Sequence, residues 1–165
     1  MVDTMKFTIG DSARKLIRTL RDRGTLTDME SSYLRQWACE KNVVCAYLES
    51  ADEIVSFCIL HKLDFDPYGV QANPYLIDFI YTFPHHRGHH YAPCLLIEMT
   101  PKFETTAFLS NERSYNAFMR ATYLPVSDPD REKLGLITMR SQSHKLLKMM
   151  SSGKDLVGMK AGDLF

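Results

Sequence analysis

The sequence predicts a mixed α/β fold in one domain, because helix-like and strand-like segments alternate along the chain. Three observations support this prediction: apolar residues at helical spacing near the start, later runs rich in β-branched and aromatic residues, and turn residues between them. The predicted order is β, α, α, β, β, β, α, β, α, without an internal repeat. The 165 residues, 45% of them apolar, are enough for one hydrophobic core. We therefore expect a single domain over 1–165, with its core at about 5–140.

Two amphipathic helices are predicted near the start of the chain. Over residues 10–23, arginines occupy one face, and apolar residues recur at i, i+3, i+4 and i+7 on the other, namely Ala13, Leu16, Ile17 and Leu20. Gly24 is placed to end this helix. Thr27 and Glu30 have the spacing of a capping box, in which each side chain binds a free backbone N–H of the other residue. A second helix should begin there and extend to about Lys41.

Strand-like segments follow these helices. "NVVCAYLES" and "EIVSFCILHKLDF" are rich in β-branched and aromatic residues, and the break at Ser50–Asp52 between them predicts an antiparallel hairpin. "YLIDFIYTF" is almost entirely apolar, so we expect a third strand at the sheet centre, buried on both faces. Helices at Tyr91–Met99 and Asn111–Arg120 then enclose a fourth strand, "TTAFLS".

The pattern weakens beyond Pro125. "SDPDREK" is typical of a charged loop, "LGLITMRS" of a last strand and "SHKLLKMM" of a short helix. Residues 151–165, which carry lysines and glycines, are predicted to be a flexible or partner-binding tail.

Composition argues against several classes of function. Lys and Arg number 20, as do Asp and Glu, so the chain lacks the overall positive field that attracts nucleic acid. The sequence has no secretory signal pattern and no apolar stretch long enough to cross a membrane. The cysteines are far apart, without a C-x-x-C pair, as expected for reduced thiols. We therefore expect an intracellular, cytoplasmic protein that binds neither nucleic acid nor membrane.

The stretch "PHHRGHHYAPCLL", Pro84–Leu96, is dense in histidine and has four interpretations: a solvated loop, a metal site, a nucleic-acid patch or a phosphate-binding loop. His85 and His89, or His86 and His90, have an i, i+4 spacing that would put two imidazoles on one helix face. Gly88 lies between these histidines, no carboxylate within the stretch completes a ligand set, and catalytic zinc generally takes three protein ligands. We therefore predict no metal. The neutral net charge makes the nucleic-acid interpretation weaker still.

The phosphate interpretation uses more of the sequence context. A central strand leads into a proline-bounded turn with Arg87, Gly88 and Ala92, and a helix starts directly after it. Such a turn aims unpaired backbone N–H groups and the positive end of the helix at an anion. Gly88 would allow close approach of the backbone, and Arg87 would add charge-assisted hydrogen bonds.

The same stretch resembles motif A of the GNAT N-acyltransferase superfamily, whose pattern is Pro, then Arg or Gln, x, x, Gly, x, Gly or Ala, then a Leu-Leu pair. His90 replaces the usual glycine, and every spacing is kept by Pro84, Arg87, His90, Ala92, Leu95 and Leu96. The family's downstream pattern is matched by Asn111, Ser114, Phe118 and Tyr123. The resemblance covers about residues 5–126. It implies a twisted, mostly antiparallel sheet with helices on both faces, and acetyl-CoA as co-substrate.

The resemblance also implies which residues contact acetyl-CoA. The loop and helix start would hold the pyrophosphate through Arg87, Gly88, His89, His90, Tyr91 and Ala92. The end of the central strand would bind the pantetheine arm and polarise the thioester with backbone groups of Phe79, Ile80, Tyr81 and Thr82. Contacts from the downstream helix would be Asn111, Ser114 and Phe118, of which the first two would equally serve as a helix cap. At His90, either the backbone shifts or the ring itself binds phosphate.

Acyl transfer to an amine needs a base, because an ammonium group with a pKa near 10.4 is protonated at neutral pH. Asp78 lies in the apolar segment before the loop, where desolvation would raise its pKa, and family members often have a base there that acts through water. The alternative is a carboxylate paired with a neighbour for structure. Phe118 stands where family members often carry a tyrosine that protonates the CoA thiolate, so Tyr115, Tyr123 or solvent would replace it.

The acceptor is predicted to be a primary amine on a small molecule or a protein. Asp64 and Asp66 stand at the end of the strand-like segment before "PYGVQANP". With Asp78 they would form an acidic approach for a cation, although a solvated acidic loop is the alternative. We thus predict an acetyl-CoA-dependent N-acetyltransferase, monomeric or homodimeric. The alternative is a CoA-binding or regulatory module of the same fold that has lost turnover, for which Phe118 and His90 are the motivating residues.

Overall fold

The computed structural model describes residues 4–142. Its strands are β1 (Lys6–Gly10), β2 (Val43–Ser50), β3 (Glu53–Lys62), β4 (Pro74–Thr82), β5 (Glu104–Leu109), β6 (Leu124–Val126) and β7 (Ile137–Arg140). Its helices are α1 (Ala13–Asp22), α2 (Asp28–Ala38), α3 (Tyr91–Met99), α4 (Glu112–Arg120) and α5 (Pro129–Glu132). A 3-10 turn, Pro84–His86, separates β4 from α3. The predicted helix "SHKLLKMM" and the predicted tail 151–165 lie outside the described residues.

The strands are hydrogen-bonded in the order β1-β2-β3-β4-β5-β7-β6. The pairs β1–β2, β2–β3, β5–β7 and β6–β7 are antiparallel, whereas β4 and β5 are parallel. The predicted mixed α/β class with a mostly antiparallel sheet is confirmed. By its internal contacts the described chain divides into two compact units. The first holds the described residues up to Lys62 together with Asp78–Leu95, and the second holds Leu63–Ile77 and the described residues from Leu96 onward.

The core of the first unit is formed by α1, α2 and the β2–β3 hairpin. The apolar face of α1 is buried as predicted, with Ala13, Leu16, Ile17 and Leu20 in the core. The hairpin is closed by a two-residue turn, in which Ala51 and Asp52 have φ angles of 49° and 61°. These left-handed conformations are the ones that the favoured two-residue hairpin turn requires. The predicted hairpin is therefore confirmed.

The start of α2 is a capping box, as predicted. The Thr27 hydroxyl accepts the Glu30 N–H at 3.2 Å, and Oε1 of Glu30 accepts the Thr27 N–H at 2.9 Å. These two bonds satisfy backbone donors that the first turn of a helix leaves without a partner. The helix ends at Ala38, before the predicted Lys41.

The central strand β4 occupies the predicted place in the sheet, but the prediction that it is buried on both faces is wrong. Only Pro74 and Ile77 are buried, and its other side chains are half-buried. For Phe79 and Tyr81, near the end of the strand, the physical reason is that they border a pocket. An apolar run can therefore line a binding surface as well as a core.

The second unit contains the parallel pairing of Pro74–Leu76 with Glu104–Thr106 and the antiparallel strands β5, β7 and β6. The predicted last strand is confirmed as β7. Strand β6 was not predicted, and "SDPDREK", predicted as a loop, contains the short helix α5, for which Asp128 is the N-cap. No helix within residues 4–142 combines the length and apolar character needed to cross a membrane.

Candidate functional site

The loop between β4 and α3 has an unusual backbone conformation. Gly88 and His90 have φ angles of 87° and 59°, both in the left-handed region that favours glycine. A left-handed conformation costs a residue with a side chain roughly 1 to 2 kcal/mol. The left-handed backbone at position 90 explains why glycine is usual there in the motif. In this chain histidine adopts the same conformation.

The outer side of this loop is open. Arg87, Gly88, His89 and His90 are all exposed. Apart from Gly88 and its two neighbours in the chain, no described residue has an atom within 4 Å of the point where a Cβ on Gly88 would stand. The helix α3 begins at once, since the Cys94 N–H donates to the His90 carbonyl at 3.2 Å. The N–H groups of the first helical turn have no acceptor within the helix, and the helix dipole is positive there. The loop therefore has the donors and the space that an anion such as a diphosphate needs.

The Arg87 side chain contacts residues at the end of β4. Its Nε donates to the Thr82 carbonyl at 3.0 Å, and its guanidinium lies 5.4 Å from the centre of the Tyr81 ring. The Nε bond anchors the side chain of Arg87, which as a whole residue is exposed. Arg87 thus has a structural contact in the turn that the sequence did not reveal, in addition to its predicted role toward phosphate.

The end of β4 is held to β3 by buried contacts. The hydroxyl of Ser56, which is fully buried, donates to the Tyr81 carbonyl at 3.0 Å, and the Phe83 N–H donates to the Val55 carbonyl at 3.2 Å. Phe83 is buried as well, with its ring 5.8 Å from that of Phe57. These contacts fix the position from which the loop departs.

An apolar pocket of about 210 Å³ lies beside α2 and β4 in the first unit. Its wall is mostly aromatic and aliphatic, with one carboxylate, and consists of Leu26, Met29, Glu30, Tyr33, Leu34, Phe57, Phe79 and Tyr81. Met29 and Tyr33 are exposed at its rim. Large apolar side chains left exposed beside a cavity are typical of a ligand-binding surface. The sequence prediction missed this pocket.

Glu30 joins the helix cap to the pocket. While Oε1 closes the capping box, Oε2 accepts a short hydrogen bond from the Tyr81 hydroxyl. Burial alone would raise the pKa of Glu30, but hydrogen bonds from Thr27 and Tyr81 and the charge of Arg87 lower it overall. Burial, followed by the bond to Glu30, raises the pKa of Tyr81. At neutral pH the pocket therefore contains an ionised carboxylate and a protonated phenol.

Asp78 has a different environment from Glu30. Its Oδ2 lies 3.4 Å from Nδ1 of His61, and the same nitrogen lies 3.6 Å from Oε2 of Glu40. Burial raises the pKa of Asp78 above its ordinary value, the interaction with His61 offsets part of this effect, and the charge of Glu40 adds to it. A raised pKa brings a carboxylate closer to the range in which it serves as a general base.

The second unit contains the remaining predicted site residues on α4. Oδ1 of Asn111 accepts the Ser114 N–H at 2.8 Å, so this pair forms the helix cap that was the alternative interpretation. Phe118 is 1% exposed and packs edge-on against Tyr123, which makes it a core residue with almost no surface for a cofactor. Tyr123 is also buried, and its hydroxyl bonds to Thr105. Tyr115 is half-buried.

Asp66, also in the second unit, has a structural environment. Its side chain is 2% exposed and pairs with Arg140, whose Nη2 donates to Oδ1 at 2.6 Å. The carboxylate also accepts backbone N–H groups of Tyr68, Val70 and Gln71. Burial would raise the pKa of Asp66, but these bonds outweigh it and lower the value. The predicted substrate contact of Asp66 therefore lacks a free carboxylate oxygen, while Asp64 is exposed.

Comparisons with known proteins address the fold. No protein-family model and no curated protein matches the sequence. A GNAT-family acetyltransferase from Bacillus cereus matches with a TM-score of 0.55 at 17% identity, covering 85% of this chain and 98% of that one. The aminoglycoside acetyltransferase AAC(6')-Ib, solved with coenzyme A and kanamycin, gives 0.54 at 13% identity, with 87% and 98% covered. NAA60 of Arabidopsis thaliana, solved with acetyl-CoA, gives 0.52 at 12% identity, with 83% and 97% covered.

Each match spans nearly the whole length of the solved structure. At these identities the likeness concerns the fold alone. The chain has the fold of the GNAT N-acetyltransferase superfamily.

Proposed function

We propose that this protein transfers the acetyl group of acetyl-CoA to a primary amine. The observation that carries the proposal is the β4–α3 loop, with left-handed Gly88 and His90, exposed Arg87 and the open first turn of α3. Backbone donors at a helix start bind a diphosphate without further side chains. In this proposal the residues of the loop named from the sequence, from Arg87 to Ala92, contact the pyrophosphate, and the β4 segment Phe79–Thr82 contacts the pantetheine arm.

Asp78 is proposed as the general base, acting through a water molecule. The amine nitrogen forms a bond to the thioester carbon, the carbon–sulfur bond breaks, and the amine proton passes to the Asp78 carboxylate. The raised pKa of Asp78 supports this role, because a base works best when its pKa is near the operating pH. A backbone N–H at Ile80–Thr82 would stabilise the developing oxyanion.

The leaving thiolate needs a proton, and Tyr115 is the proposed donor. Tyr123, the other tyrosine considered from the sequence, is buried with its hydroxyl bonded to Thr105. Tyr115 is half-buried on α4 and retains access to solvent. Replacing Tyr115 with phenylalanine should therefore lower kcat more than replacing Tyr123.

The acceptor is proposed to bind in the pocket beside α2. Its apolar and aromatic wall suits an amine carried on an apolar or aromatic group, and the Glu30 carboxylate and aromatic faces of Tyr33 and Tyr81 suit an ammonium. Polyamines, lysine side chains, protein N-termini and amino sugars were all open from the sequence. The pocket favours an N-terminus or small amine with an apolar neighbour over a polyamine.

The experiment is a thiol-release assay with acetyl-CoA and a panel of amines. We expect release that depends on the acceptor, with apolar arylalkyl or alkyl amines and peptides with apolar N-termini ahead of spermidine. N-acetylated forms of the same compounds serve as matched controls and should give no release. Equal rates for all amines would remove the pocket from the proposal, and no release with any amine would count against the enzyme itself.

A CoA-binding module without turnover is the second candidate. The observation that favours it is the core position of Phe118 and Tyr123, which leaves the family's usual proton-donor position without an available hydroxyl. The thiol-release assay, read together with calorimetry of CoA binding, separates the two candidates. Both would bind CoA, but only the enzyme would release thiol when an acceptor is present. A monomeric or homodimeric state and a cytoplasmic location stay predictions, of which the first is checked by light scattering.

A further inference from the structure

A separate group of side chains lies where β3 begins and where the 3-10 turn ends. Glu53 is the first residue of β3, and His85 and His86 are the last two residues of the turn. Nε2 of His85 lies 3.1 Å from Oε1 of Glu53, and Nε2 of His86 lies 3.3 Å from Oε2. One ligand atom from each of the three residues lies within 4.8 Å of the others. The proposed acyl transfer makes no use of these side chains.

The backbone holds this group in place. The Phe83 N–H, just before the turn, donates to the Val55 carbonyl, two residues after Glu53, at 3.2 Å. Phe83 is buried, and its ring packs against those of Phe57 and Tyr81. The carboxylate and the two imidazoles therefore project from elements that are already anchored to each other, which is what a preorganised binding site requires.

One ring nitrogen of the group is shielded and lacks a hydrogen bond. Nε2 of His86 is inaccessible to solvent, and no described residue is aligned to bond with it, although Glu53 lies nearby. A cation between the imidazoles and the carboxylate would accept the lone pair of this nitrogen.

The spacing fits a small tetrahedral ion. Zn²⁺ binds imidazole nitrogen at about 2.0–2.1 Å, so two ligand atoms of a tetrahedral site stand about 3.3 Å apart. The two nitrogen–oxygen separations, 3.1 and 3.3 Å, are close to this value. Two imidazoles and one carboxylate suit Zn²⁺ and its neighbours Co²⁺ and Ni²⁺, whereas Mg²⁺ and Ca²⁺ prefer oxygen ligands throughout.

We propose that Glu53, His85 and His86 form a binding site for a divalent transition-metal ion of the Zn²⁺ class, with water as the fourth ligand. The bound ion ties the start of β3 to the turn that leads into Arg87, and so restrains the entry of the β4–α3 loop. The proposal is independent of the acyltransferase proposal, because it rests on the three side chains and their anchored backbone.

This proposal differs from the sequence prediction of no metal. That prediction considered ligands within the histidine-rich stretch, where helical pairs at i, i+4 would have been needed. The stretch is not a continuous helix, because the 3-10 turn ends at His86 and the backbone becomes left-handed at Gly88. The missing carboxylate comes instead from β3, 32 residues away in the sequence.

The test is a titration of the full chain with Zn²⁺ and with Co²⁺, followed by calorimetry and by the visible absorption of tetrahedral Co²⁺. We expect one ion per chain. Changes outside the ligand shell already weaken metal binding about 10- to 100-fold, so Glu53→Gln and His85→Asn, which each remove a ligand, should weaken it by about 100-fold or more. His89→Asn, a change of an exposed histidine in the same stretch, is the matched control and should bind as the wild type does.

Three results would overturn the proposal: no binding to the wild type, unchanged binding to Glu53→Gln, or an equal loss in His89→Asn. The second would mean that histidines alone chelate the ion, and the third that the ligands are a different set. Because Glu53 and His85 are exposed, both variants should fold, and their thermal unfolding without metal checks this. Glu53→Gln decides the question by itself should His85→Asn unfold early.

Discussion

Asp66 and Asp78 are two aspartates, one in each unit, whose surroundings move their pKa values in opposite directions. Asp66 is enclosed by Arg140 and three backbone N–H groups, which stabilise its charge and lower its pKa. Asp78 is partly buried beside the imidazole of His61, and burial raises its pKa. A carboxylate whose charge is fully satisfied supports structure, whereas one whose charge is poorly satisfied is ready to accept a proton.

The largest expected effect tests Asp78 as a base. Asp78→Asn removes the proton acceptor and should lower kcat about 10²- to 10⁴-fold. Wild-type kcat should fall toward acid as the carboxylate is protonated, and the variant should lose this acid limb. The pH dependence of thiol release measures both effects.

The control for this variant is Asp130→Asn, since the Asp130 side chain is almost fully exposed and its ion pair with Lys133 is long, at 3.9 Å. It should leave kcat unchanged. A wild-type rate in Asp78→Asn would assign Asp78 the structural role that Asp66 has, and the contrast between the two aspartates would disappear.

The next effect tests Asp66 as a structural group. Arg140→Met leaves the Asp66 carboxylate buried without its ion pair, and loss of one partner of such a pair costs about 3 to 5 kcal/mol. Urea unfolding should show this decrease in the free energy of unfolding. Lys133→Met, at an exposed position, is the matched control and should change stability by less than about 0.5 kcal/mol. Equal stability of both variants would contradict the structural role of the Asp66–Arg140 pair.

A smaller effect tests whether Arg87, in the β4–α3 loop, contributes to binding acetyl-CoA. Hydrogen bonds to charged groups contribute about 1.5 to 3 kcal/mol, so Arg87→Ala should raise KM for acetyl-CoA about 10- to 100-fold and change kcat less. Arg87→Lys keeps the charge but loses the Nε bond to the Thr82 carbonyl, and should give an intermediate KM. Steady-state kinetics with varied acetyl-CoA measure this, and an unchanged KM in Arg87→Ala would remove the loop from cofactor binding.

The smallest effect concerns stability and pH. A carboxyl group with a raised pKa in the folded state contributes stability that is present below its unfolded pKa and lost as pH rises through the folded pKa. At neutral pH the ionised Asp78 therefore lowers the stability of the wild type, and Asp78→Asn should be slightly more stable there, with the difference vanishing in acid.

The effect of Asp66 on the pH dependence of stability has the opposite sign. Its lowered pKa gives stability that is present above the unfolded value and lost as pH falls through the folded one, so Asp66→Asn should lose that acid dependence. Urea midpoints of the wild type and both variants across pH measure these slopes. If the urea midpoints of both variants changed with pH in parallel, the two aspartates would not differ in their effect on stability.

The features predicted correctly from the sequence are those that depend on residues close together in the chain. The capping box at Thr27 and Glu30 and the hairpin turn at Ala51 and Asp52 are set within a few residues. Strand β6 shows the limit of such rules, because Pro125 argues against a strand but is tolerated at the outer position that β6 holds beside β7.

The features missed depend on contacts between distant residues. Arg140 and Asp66 are 74 residues apart, Tyr81 and Glu30 are 51 apart, and His85 and Glu53 are 32 apart. A single sequence has no signal for such pairs, because each residue alone has an ordinary surface or capping explanation. The aspartate at 66 was therefore grouped with that at 78, although folding gives them different partners.

The two contacts of the Glu30 carboxylate affect which substitutions this protein tolerates. Since one oxygen closes the start of α2 and the other binds the Tyr81 hydroxyl, any exchange of Glu30 would fray a helix and reshape a cavity at the same time. Tyr81→Phe removes only the second contact and is the cleaner probe of the cavity. Substitutions that adapt the pocket to a new ligand would accordingly be tolerated more readily at Met29 and Tyr33. These residues are exposed at the rim and do not cap the helix.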